Sequence, residues 1–117
     1  MVDVVGLLDV IENRSNDITA KLELLRTYEE QKDKIDEEIK KAKEKLKADT
    51  ITKFTYATMQ ELNQKNLEDN TNQRKKIWNE IAECVNTISD NLNTLKDSYN
   101  QKTVIEDAAE IVQEKEK

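Results

Sequence analysis

The scarcity of chain-turning residues constrains this sequence most: its 117 residues include no proline and a single glycine, Gly6. Tight β-turns lean on those two residue types, so compact β architectures are disfavoured and long helices favoured. Charged residues make up 38% of the chain and aromatics 4%, and the mean hydropathy of −0.88 makes disorder the competing expectation. Apolar side chains at regular helical intervals decide against it, because scattered ones would build no common face.

Along the first part of the chain, Val4, Leu8, Ile11, Ile18, Leu22 and Leu25 follow steps of three and four, with Ser15 interrupting the stripe. A stripe of that kind is one face of a helix packed on another helix. It then steps by three to Tyr28 and resumes through Ile35, Ile39, Ala42 and Leu46. Read this way the offset at Tyr28 is a stammer, which overwinds a coiled coil locally. The polar run Asn13 to Asp17 supplies helix-capping types, so a break there and a continuous helix are both open. Residues 29–47 alternate acids and lysines at helical spacing, which predicts a solvated face.

Asp49, Thr50, Ile51 and Thr52 combine β-branched and capping side chains, which predicts a turn and a new helix start. Ile51, Phe54, Thr55, Met59 and Leu62 form a second amphipathic stretch. Residues 63–76 hold one apolar side chain, Leu67, and four asparagines, so they are either a loop or the exposed middle of a long helix. Then Trp78, Ile81, Val85, Ile88, Leu92, Leu95 and Tyr99 alternate steps of three and four without a lapse, with Ile77, Ala82 and Cys84 widening the face. Such a wide strip commonly serves more than one neighbouring helix. Val104, Ile105, Ala108, Ala109, Ile111 and Val112 extend it before the charged tail at 114–117.

These features predict a single all-α domain over residues 1–117, in which residues 1–16 either form a separate N-terminal helix or docking segment or run on into the next helix. The favoured arrangement is an antiparallel bundle of about three helices, near 17–48, 51–66 and 73–113, with coiled-coil-like heptad packing. Its alternative is a long two-helix hairpin turning at 49–52. The hairpin sets the stripe Val4–Leu25 against Trp78–Tyr99 and opposes the polar stretches 26–41 and 63–76.

Several chemistries find no footing here. The sequence has no histidine, so the commonest general base and metal ligand is missing, as is the histidine partner of a Ser or Cys nucleophile. One glycine cannot build a phosphate-binding loop. The spacing from Asp69 to Glu80 faintly resembles a calcium loop, but Arg74 stands where the turn needs glycine. Lone Cys84 makes neither an intramolecular disulfide nor a cysteine metal cluster. The formal charge of −6 disfavours nucleic acid as a partner. The apolar N-terminus is too short to insert across a membrane and lacks a basic signal-peptide flank.

The expectation is therefore a soluble, cytoplasmic, non-catalytic subunit or adaptor without cofactor or metal. It binds other helical chains or itself, and Val4, Leu8, Ile11, Trp78, Ile105, Ile111 and Val112 are the candidate interface. Two further classes are open. One is a secreted or surface helical hairpin; the small secreted proteins with a Trp-x-Gly turn are similar in length, but here Trp78 is followed by Asn79 and Glu80. The other is an acidic helical inhibitor of another protein, which the many interspersed lysines disfavour.

Overall fold

The computed structural model describes residues 3–116, and side chains as far as residue 101. Two α-helices account for nearly all of it, α1 from Val4 to Lys47 and α2 from Lys53 to Glu116, and there is no strand among the described residues. The all-α expectation holds. The three-helix bundle does not, because the expected boundary between 66 and 73 lies inside α2, and the hairpin alternative fits better. The Asn13–Asp17 run likewise lies within α1.

Local chemistry sets the helix ends. Asp3 caps α1: its carboxylate accepts from the Gly6 N–H at 3.0 Å, while its carbonyl accepts from Leu7. A Cβ on Gly6 would stand 2.5 Å from that carboxylate, so the lone glycine leaves room for the cap. At the other end Asp49 turns left-handed, with φ of 57°. Its N–H bonds to the Leu46 carbonyl at 3.1 Å, and the Thr50 N–H reaches back to Lys45 at 3.0 Å. This pair of bonds closes a helix in a Schellman motif, and the Thr50 hydroxyl adds a second donor to Lys45. Thr52 then starts α2, its hydroxyl oxygen accepting from the Thr55 N–H at 3.1 Å. The turn expected at 49–52 is where the chain reverses.

The chain divides into two compact units, one of Met1–Ile18 with Ala82–Lys117, the other of Thr19–Ile81. In the second unit α1 and α2 lie antiparallel, fixed by cross-links between the helices. Lys21 donates to Glu80 at 2.8 Å, Asn70 donates to the Tyr28 carbonyl at 2.8 Å and to the Gln31 side chain at 2.9 Å, and Arg74 meets Glu29 at 3.4 Å. The core of this unit is a thin seam of Leu25, Ile35, Ala42, Ile77 and Ile81, with Asn63 and Asn70 buried among them. Polar thus meets polar across the hairpin, as the matching of 26–41 with 63–76 requires.

That seam explains why 63–76 is helix instead of loop. Leu67, Asn70, Arg74 and Ile77 continue the steps of three and four that the covered side chains follow. The Asn70 amide fills its place by bonding to α1, and its oxygen accepts from Arg74 at 2.8 Å. A satisfied buried amide costs little, where an unsatisfied one would cost about 1–3 kcal/mol.

Candidate partner-binding edge

Side-chain burial resolves the heptad frame. On α1 the covered or half-covered positions include Leu7, Ile11, Ile18, Lys21, Leu25, Tyr28, Lys32, Ile35, Ile39, Ala42 and Leu46. Their spacing passes Tyr28 without an offset, so the stammer expected there is absent. The offset comes from counting Leu8 and Leu22 as seam residues; both are exposed, while their neighbours Leu7 and Lys21 face inward. Lys21 serves a seam position because its ammonium reaches Glu80 and leaves its methylenes over the apolar residues.

The same one-residue shift holds on α2. The inward positions are Ile77, Ile81, Cys84, Ile88, Asn91, Leu95 and Ser98. Trp78, Val85, Leu92 and Tyr99, each seven residues after the last, stay exposed, Trp78 at 53% and Leu92 at 51%. Ile81, Ile88 and Leu95 are the members of the sequence-derived stripe that the seam takes in.

In the unit that joins 1–18 to 82–117, these exposed residues share an origin. Leu8 follows inward Leu7, Val85 follows Cys84, Leu92 follows Asn91 and Tyr99 follows Ser98. A right-handed helix turns about 100° per residue. For two antiparallel helices facing each other, that rotation carries the following residue to the same edge of the seam on both. Leu8 therefore lies on one edge with Val85 and Leu92. The residues preceding Ile11, Ile18, Ile88 and Leu95 turn to the other edge; they are Val10, Asp17, Thr87 and Thr94. One edge is apolar and the other is mostly polar.

Charge follows the same division. Between Ala82 and Leu95 the charged residues are Glu83 and Asp90, and each precedes an inward residue, so both stand away from the apolar edge. The surface around Val85 and Leu92 carries Ala82, Asn86, Ser89 and Asn93. Depletion of charge around exposed apolar side chains distinguishes the centre of a protein interface from ordinary surface.

In the unit 19–81, Leu22 and Trp78 are exposed and also follow inward residues, Lys21 and Ile77. An open groove of about 320 Å³ runs beside Tyr28, Gln31, Ile35, Asn66, Asp69, Asn70 and Gln73. Lys21 holds the Glu80 carboxyl below the usual carboxylate range, chiefly through its hydrogen bond and secondarily through its charge, with Lys76 adding attraction; partial burial opposes them. Among the described residues no group of three or more acids and cysteines could hold a metal ion.

Of the residues singled out in the sequence, Val4, Leu8 and Trp78 are exposed and Ile11 is half-covered on the inward face. Ile105, Ile111 and Val112 belong to α2, but their side chains lie outside the described residues. The sequence stripe places Val85 and Leu92 in the core, and their exposure makes them the central residues of the edge instead. The sequence holds only part of the signal for them: Asn63, Asn70, Ile77 and Cys84 recur at intervals of seven, and it is their burial that sets the frame one residue earlier. No helix among the described residues is long and apolar enough to cross a membrane. No known family model, curated protein or solved structure matches the chain.

Proposed function

We propose that this protein is a non-catalytic interaction subunit that assembles with other helices through coiled-coil-like packing. The observation that carries the reading is the exposed, charge-depleted row Val85 and Leu92 beside Leu8. Covering such side chains is worth about 25 cal/mol for each Å² of apolar surface removed from water. The row lies on a thin two-helix seam, and contiguous exposed apolar side chains of this kind commonly mark interfaces. The absence of histidine in the sequence takes away the commonest acid–base group and agrees with a binding role.

The test pairs sedimentation of the purified full chain with affinity capture from its native source, each repeated with Leu92→Asp. Self-association or a captured protein that Leu92→Asp loses is the expected result. A chain that is monomeric at every concentration and captures nothing sensitive to Leu92→Asp would end the reading.

A further inference from the structure

We infer that the partner covering this edge in the 1–18 and 82–117 unit is a second copy of the same chain, docked so that α1 of each copy lies along α2 of the other. The inference rests on the assembly reading and names its partner. The edge carries Leu8 from α1 beside Val85 and Leu92 from α2, so it is two helices wide. A single added helix would complete a three-helix arrangement, whereas a second two-helix edge completes a four-helix bundle, the common closed form for antiparallel helices.

Charge complementarity selects the second copy and its orientation. Beyond the apolar row, the outward positions on α1 are Val5 and Glu12, and those on α2 are Ala82, Ser89 and Lys96. The flank is thus acidic on α1 and basic on α2. A two-fold axis running along the helices sets each α1 flank on the partner's α2 flank and brings Glu12 to the side of Lys96 twice. Side chains lean toward the N-terminus of their own helix, which on these antiparallel neighbours narrows the axial gap of about 10 Å, one heptad, between the two charges. An axis perpendicular to the helices sets Glu12 on the same flank of the other α1 and opposes like charges. Leu8 then meets the partner's apolar row at both sites, as an isologous interface requires. Small side chains at Ala82, Ser89 and Ser15 permit close approach of the backbones.

Sedimentation equilibrium of the full chain across a wide concentration range tests this, with circular dichroism on every variant to confirm that helicity is kept. The wild type should fit a monomer–dimer equilibrium, and Leu92→Asp should weaken it by at least about a hundredfold, roughly what burying an unpaired charge costs. Glu12→Lys and Lys96→Glu should each weaken the dimer several-fold, and the double reversal should restore it. A monomer at all concentrations, a dimer indifferent to Leu92→Asp, or single reversals that the double variant fails to rescue would overturn the inference. If the chain is monomeric alone yet binds another protein that Leu92→Asp loses, the second copy is wrong and the assembly reading stands. If Leu92→Asp changes neither, both fall.

Discussion

The unit 19–81 builds one seam in two ways, and the contrast shows what each contributes. At Leu25, Ile77 and Ile81 the helices meet through aliphatic side chains. Around Asn70 they meet through an amide that bonds to Tyr28, Gln31 and Arg74. Aliphatic contact is strong but non-directional, and a slip of one heptad still finds apolar neighbours. The amide is satisfied only in one register, so a buried asparagine gives up stability and fixes alignment. The first patch supplies energy and the second supplies position.

The aliphatic patch gives the largest expected effect. Ile77→Ala or Ile81→Ala should destabilise by about 2–5 kcal/mol, the range for deleting a buried large aliphatic, with the lower end expected for so thin a seam. Lys43→Ala or Lys45→Ala, on the exposed face of α1, should change stability by less than about 0.5 kcal/mol. Urea melts compare the two sets. Equal effects would mean that the seam is not where the stability lies.

Next in size is Asn70→Ala, which removes the amide's bonds to the Tyr28 carbonyl, Gln31 and Arg74 and should cost about 1–3 kcal/mol. Asn70→Leu separates energy from register. Its melting midpoint should stay close to the wild type or rise, while cross-linking between cysteines placed at Gln31 and Gln73 should weaken as other registers fill. An Asn70→Leu chain that kept a single register would deny the amide its positional role.

The turn of the hairpin, a fold that the sequence offers only as the alternative to three helices, can be anticipated because its determinants are local. Asp49 to Thr52 carry the turn and the cap in adjacent residues, and the apolar steps from Trp78 to Tyr99 carry a helix in their spacing. Two things are less visible. Residues 63–76 read ambiguously because their seam residues are asparagine and arginine, whose fitness depends on partners some forty positions away: Asn70 bonds to Gln31 at a separation of 39 residues. The sequence stripe sets the frame one residue late because Val85, Leu92 and Leu22 are more apolar than their inward neighbours Cys84, Asn91 and Lys21. Hydropathy suggests burial, but the frame is decided by which row runs unbroken on both helices together. That row contains Lys21, which no hydropathy pattern would choose.

The turn between the helices offers a smaller effect of opposite sign. Asp49 holds a left-handed conformation at φ of 57°, where a Cβ crowds the backbone and glycine does not. Asp49→Gly should raise stability by up to about 1 kcal/mol, and Asp49→Val should lower it, both read from thermal melts. Loss of stability in the glycine variant would show that the aspartate contributes something beyond the backbone turn.

Smallest of all should be the ion pair at the apolar end of the seam. Glu80 has its pKa lowered by Lys21 in the folded chain, so unfolding raises it back toward the ordinary carboxylate value. Its contribution is therefore fully present above that ordinary value and fades as pH falls through the lowered folded one, where the protonated carboxyl gains nothing from Lys21. Glu80→Gln removes that titration while keeping the shape. The stability gap between wild type and Glu80→Gln should be small near about pH 7, because both partners are partly exposed and screened. It should close further as pH falls through the lowered folded value, where Glu80 approaches neutrality. Comparing the two proteins at each pH cancels the titration of the other acids, which are common to both. A gap that widened on acidification would mean that Glu80 is held protonated in the fold, and that Lys21 owes its inward position to packing alone.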